Sequence, residues 1–184
     1  MKFSSKLASV SFAVLLGLSA ASSFAQVAVG NSSIPVSRDI MDNVVSSKDH
    51  TTLVAALKAA GLVDTLKSAG PFTVFAPTNA AFAALPAGTV DSLLKSENKG
   101  ILTGILEYHV VPGKVDAAAL TKMIMDGKGS TTFKTVAGGL LTARSVGGKV
   151  IIADEKGGSS TVTIADVYQS NGVIHVVDKV LSPK

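Results

Sequence analysis

The stretch Gly70–Thr78, GPFTVFAPT, interrupts an otherwise helical first half of this chain. Four consecutive residues in it, Phe72, Thr73, Val74 and Phe75, are aromatic or β-branched and favour extended backbone, and Pro77 closes the run. Thr78 or Asn79 then stands where the following AAFAAL segment needs a cap. The segment therefore reads as a strand set among helices.

Upstream, DHTTLVAALKAAGL places Leu53, Val54 and Leu57 at helix spacing, with Asp49 or Thr51 to cap the start and Gly61 to end it. His50 lies just ahead of this helix and reads as solvated. A short helix follows over Val63 to Lys67. Downstream, Thr89 caps a turn running to Lys95, and KGILTGILEY sets Ile101, Leu102, Ile105 and Leu106 on one face, with His109 at the helix exit. VDAAALTKMIM reads as one more helix, capped by Asp116. Met123 and Met125, two apart, point to different sides of it.

The last third changes period. STTFKTV, LLTARSV, KVIIAD, STVTIADVYQ and GVIHVVDKVL are short β-rich runs separated by Gly138-Gly139, Gly147-Gly148, Gly157-Gly158 and Asn171-Gly172. Such pairs supply the positive φ that tight hairpins require, and Gly172 is assigned that role here. Asp154-Glu155-Lys156 reads as a solvated hairpin tip. Helices followed by an antiparallel sheet give the α+β class in one domain, residues 36–183.

The N-terminal end has its own layout. Lys2 and Lys6, an apolar stretch from Val10 to Ala21 and the small residues before Gln26 form the pattern of a cleavable signal peptide over residues 1–25. Residues 26–35 read as a flexible lead-in. The apolar stretch is too short to span a bilayer comfortably, no second one follows, and no stable membrane insertion is expected. The chain has no cysteine, so neither a disulfide nor a lipid anchor at the cleavage site is available. The leader carries two of the 17 basic residues and none of the 13 acidic ones, which leaves the remainder at 15 against 13, or +2. Without a Lys/Arg stripe or a tryptophan, nucleic acid is not the expected partner. Asn31-Ser32-Ser33 fits the glycosylation pattern, which matters only in a eukaryotic secretory route.

Catalytic patterns are missing. The Gly-Lys pairs at 127–128 and 148–149 lack the surroundings of a phosphate loop, no Gly-x-Ser-x-Gly elbow occurs, and His50, His109 and His175 are too dispersed for a local metal motif. The reading is a non-enzyme without a cofactor or metal. His109 reads as a hydrogen-bonded structural residue tying the helix exit to a neighbouring strand, and His175 as structural within its strand, sharing a face with Val173 and Val177. Tyr108 suits core and contact surface alike, with its ring partly exposed.

Three segments, TVFAPTNAAFAALP, ILEYHVVPGKV and NGVIHVVDKVLSP, resemble in order and spacing the first conserved box, the Tyr-His motif and the second conserved box of fasciclin domains. The resemblance covers about Pro35 to Pro183. It implies a wedge of β-strands flanked by helices, with Pro77, Thr78, Asn79, His109, Gly172 and His175 as its structural motif residues. It also implies a secreted or periplasmic adhesion or interaction module, whose partner would be an extracellular or cell-envelope protein or polysaccharide. In animal members integrin contact is assigned to the Tyr-His segment and to an Asp-Ile pair. Those positions fall here on Tyr108-His109 and Asp166-Val167, with valine in place of isoleucine. Some relatives bind carotenoids, which makes carriage of a hydrophobic small molecule the alternative role.

Overall fold

The computed structural model describes residues 26–29, 32–35 and 37–184; the expected leader, residues 1–25, and part of the glycosylation pattern lie outside them. Where a flexible lead-in was expected, Gln26–Val29 (β1) pairs antiparallel with Ser32–Pro35 (β2). The helical half then runs Ile40–Ser46 (α1), a 3-10 turn at Lys48–His50, Thr51–Ala60 (α2) and Val63–Lys67 (α3). It continues through the strand Phe72–Pro77 (β3), then Asn79–Ala83 (α4), Thr89–Leu93 (α5) and Lys99–Tyr108 (α6). After Val110–Pro112 (β4) and Ala117–Asp126 (α7) come Ser130–Lys134 (β5), Leu140–Val146 (β6), Lys149–Ala153 (β7), Ser159–Gln169 (β8) and Gly172–Val177 (β9).

These last strands do not form a sheet of their own. They join β3 and β4 in one seven-stranded sheet of order β4-β3-β9-β8-β7-β6-β5, in which β3 and β9 run parallel and the other pairs antiparallel. The Val136 N–H donates to the Val110 carbonyl at 2.8 Å, so the chain after β5 returns to β4 and the sheet curls toward closure. Strands β3 and β9 are thereby buried on both faces, the reason TVFA and VIHVV read as unbroken apolar runs.

Alternation along these two strands sorts the core into two clusters. Val74, Ala76, Ile174 and Val176 face Ile40, Val44, Leu53, Leu57, Leu102 and Leu106 of the helices. Phe75 and Val177 face the other way, toward Tyr108, Leu120, Ile124, Phe133, Leu141 and Ile152. The face expected on α6 is narrower than its sequence suggests, because Leu102 and Leu106 are buried while Ile101 is 60% exposed.

Two helix starts differ from expectation. No side chain of its own caps α2; the Asn79 Oδ1 of α4 accepts from the Thr52 N–H at 3.0 Å instead. Thr89 is the first residue of α5, and Gly88 occupies the cap position. Asp116 caps α7 as expected, accepting from Ala119 N–H at 2.8 Å, and Gly61 ends α2 at φ +76°.

The hairpin reading of Gly172 is corrected. Gln169 pairs with Gly172, so the two-residue turn is Ser170-Asn171, and Gly172 does not have positive φ. A Cβ on Gly172 would sit 2.0 Å from the Phe72 carbonyl oxygen, so the glycine is required for close approach of β9 to β3.

Candidate functional site

His109 ends α6 with its ring inside the protein, 3% exposed. Its Nδ1 lies 2.8 Å from the Ile105 carbonyl, which has only lone pairs and so requires the proton on Nδ1. Nε2 is then the acceptor, and it receives the Leu181 N–H at 3.0 Å. The His109 carbonyl also accepts from Phe75 N–H at 2.9 Å. One residue thus fastens the end of α6 to β3 and to the C-terminal segment. Burial pushes its pKa down to about 4, against the upward pull of the Ile105 carbonyl and the Asp154 charge.

Tyr108 is wholly buried, so the partly exposed ring expected from the sequence is corrected. Its hydroxyl donates to the Leu140 carbonyl at 2.6 Å and accepts from Glu155 N–H at 3.1 Å, and burial raises its pKa. The ring occupies the space against Gly139, where a Cβ would come within 2.6 Å of Tyr108 Cε2. Gly139, read as a turn residue, is there for the tyrosine. Tyr108→Phe should leave the Glu155 N–H and the Leu140 carbonyl without this partner and lower stability by about 1–2 kcal/mol, read as a shift of the urea midpoint.

Asp154, assigned to a solvated tip, organises its loop. Its Oδ1 accepts from Lys156 and Gly158 N–H, and its Oδ2 from Ser182 N–H at 3.0 Å. The loop after β7 is therefore joined both to Tyr108 and to the C-terminal segment.

Asp166 and Val167 belong to a different joint. Asp166 sits at φ +59° in an irregular stretch of β8, and its Oδ1 accepts from Ala117 N–H at 2.6 Å at the start of α7. Val167 is 1% exposed and packs with the helical-side core. The side chains of Tyr108, His109 and Val167 therefore point into the fold.

Of the remaining motif residues, Pro77 ends β3 and is buried, and Thr78 caps α4 by accepting from Ala81 N–H at 3.3 Å. Asn79 also donates to the Lys48 carbonyl at 2.9 Å. His175 stacks on Phe75, ring centroids 5.7 Å apart, and its Nε2 donates to the Val115 carbonyl at 2.8 Å. His50, read as solvated, is 3% exposed with Nδ1 2.8 Å from Ser47 Oγ. Burial lowers the pKa of both rings.

Asn171 escaped the sequence reading as more than a turn residue. Its Oδ1 accepts from Ile40 N–H, and its Nδ2 donates to the carbonyls of Leu66 and Ser68, joining α1, α3 and the β8–β9 turn. Its partners lie more than 100 positions away, so no local signal marks them.

Among the described residues no group of three or more His, Asp or Glu is arranged to hold a metal ion, and no helix is long and apolar enough to cross a membrane. The Ser47–His50 pair is closed off from solvent, whereas an activated nucleophile must reach its substrate.

This chain is similar to known proteins. A Synechocystis sp. protein is 51% identical over 144 residues, covering 78% of this chain and 73% of that protein. The immunogenic protein MPB70 of Mycobacterium bovis is 38% identical over 143 residues, 75% of this chain and 65% of its own. A solved FAS1 domain pair from the insect cell adhesion molecule fasciclin I superposes with a TM-score of 0.69 at 22% identity, over 84% of this chain and 57% of that one. The fasciclin domain profile matches residues 48–183, and α1 packs onto the same core just ahead of that span. With its boxes at Thr73–Pro86 and Asn171–Pro183 built into the fold as described, this chain belongs to the fasciclin domain family.

Proposed function

We propose that the protein is an exported, non-enzymatic interaction or adhesion domain that works at the cell surface or in the extracellular matrix. Its partner on this reading is an extracellular or cell-envelope protein or polysaccharide. The observation that carries it is the inward placement of the reactive side chains: all three histidines and Tyr108 are buried, and each is hydrogen-bonded within the fold. What the molecule offers its surroundings is surface, and recognition by surface is the task of an interaction domain. Capture of envelope fractions and extracellular polysaccharide from the producing cell on the immobilised protein tests this. A retained component supports it, and turnover of a substrate by the purified protein overturns it.

Carriage of a hydrophobic molecule is less well supported. Two apolar pockets, one bounded by Leu57, Leu66 and Phe72 and one by Val44, Ala76 and Ile174, hold about 20 Å³ and about 10 Å³. Two roomier hollows, about 510 Å³ beside Thr121, Thr161 and Thr163 and about 420 Å³ beside Thr89, Ser92 and Asn98, are open and partly polar, whereas clefts of about 300–1,000 Å³ that hold apolar ligands are lined mainly by apolar side chains. A carotenoid carrier would show visible absorption when purified.

Export is tested separately. The secreted or periplasmic protein should have an intact mass that begins at Gln26, because the leader ends in small residues ahead of it. A membrane-bound product retaining Met1 would refute cleavage.

A further inference from the structure

Over β5, β6 and β7 the curled sheet has one side covered and one side exposed. Phe133, Leu141, Ala143 and Ile152 of β5, β6 and β7 are buried with Leu120 and Ile124 of α7. The alternate residues of the same strands face outward, and they include Lys134, Arg144 and Lys149, all exposed.

Sheet cations in water commonly sit opposite carboxylates, since opposite-charge pairs across strands are stabilising. Here none does. Arg144 stands opposite Ser130 on β5 and Ile151 on β7, Lys149 opposite Val146, and Lys134 opposite Leu140. Arg144 and Lys149 are diagonal neighbours, about 7 Å apart at the backbone, and Lys134 lies about 14 Å along the strands from the level of Arg144. Lys128, also exposed, precedes β5 at the Arg144 end. Of the nearby carboxylates, Asp126 is paired with Lys122 at 2.6 Å, Asp154 is bound within its loop and Asp178 accepts from Thr161 N–H and Ser160 Oγ, while Glu155 lies near Gly139, at the Lys134 end of the face.

We infer that the outer face of β5, β6 and β7 is a docking surface for an acidic polysaccharide, whose repeated carboxylates meet Lys128, Arg144, Lys149 and Lys134. The inference rests on the interaction reading above and names the partner's chemistry. Charge complementarity selects an anion, and the strand lattice holds the cations at fixed intervals that suit a polymer with regularly spaced charges. Leu140 and Val146, at opposite ends of β6, do not form the clustered apolar anchor on which protein partners concentrate their binding energy. They are equally unsuited to the continuous apolar face of a membrane-lying element.

The test is binding of the protein to immobilised polygalacturonate, with dextran as the neutral control and phosphatidylglycerol vesicles as an anionic surface of another kind. Binding should weaken as added salt shortens the Debye length from about 30 Å to about 8 Å. Arg144→Glu with Lys149→Glu should reduce affinity at least about tenfold, whereas Lys58→Glu with Lys95→Glu, the same change of net charge at exposed positions of the helical half, should leave it within about twofold. All four side chains are exposed, so both variants should melt as the parent does; if the first does not, Arg144→Gln with Lys149→Gln replaces it. Absence of binding, equal loss in both variants, or binding to vesicles but not to polygalacturonate each overturns the inference. If envelope capture persists in that event, the interaction reading stands without this partner.

Discussion

Acidification from pH 7 to pH 4 should destabilise this protein by about 3 kcal/mol through His109 alone, and His109→Ala should remove that share of the pH dependence. In the unfolded chain an imidazole takes up its proton near pH 6.5. In the folded protein burial holds His109 down to about 4. Between those values the unfolded state binds more protons, so stability is complete above pH 6.5 and is lost as pH falls through 4. The structural cause is at Nε2, the atom that would have to be protonated: it accepts the Leu181 N–H, and a second N–H placed there would face a donor. His50 and His175, also held down by burial, act in the same direction. The variant should itself cost about 3 kcal/mol at neutral pH, because Leu181 N–H and the Ile105 carbonyl lose their partner and a cavity opens. Urea unfolding of parent and variant at pH 7, 5.5 and 4.5 checks both statements. A parent whose stability is flat over that range would show that the His109 ring is solvated in the fold.

Gly172→Ala should be at least as damaging, with a loss of about 3 kcal/mol or more. The added Cβ would lie 2.0 Å from the Phe72 carbonyl oxygen and 3.0 Å from Ile40 Cδ1. Only the second of these neighbours is a side-chain tip that can swing away. The first belongs to β3, whose parallel pairing with β9 from Phe72–Gly172 to Pro77–Val177 forms the buried centre of the sheet. Relief therefore requires the two strands to separate at one end, which also strains the Phe72 N–H bond to the Asn171 carbonyl. Thermal melting should show the loss, and amide exchange at β3 and β9 should locate it. An alanine variant that melts like the parent would refute the close-approach account.

The elements legible from the sequence were those whose cause is local. Asp116 caps α7 and Gly61 ends α2 as read, because a cap needs only a side chain or a permissive φ within a few residues. The strand at Phe72–Pro77 and the β-rich last third also stood as read, since β-branched and aromatic runs carry their preference along the chain. The apolar surroundings of His109 pointed to a buried, hydrogen-bonded ring, and Ile105 is a local partner one helical turn back, but Leu181 was not legible because it lies 72 positions away.

Tertiary structure decided everything that depends on which distant segments meet. Tyr108 has the sequence character of a contact residue, yet the Leu140 carbonyl and Glu155 N–H lie where its hydroxyl ends, and that satisfies the one polar group that would have kept it at the surface. His50 stands before a helix in sequence but under the core in space, and Asn79 caps a helix 27 positions upstream of itself. By itself the sequence determined the α+β class, the order of most helices and strands, and the family, whereas β1, β2 and β4 were not legible in it. Which polar groups are buried, and so which surface is left for a partner, followed only from folding, because a buried donor or acceptor must find its mate wherever the chain returns.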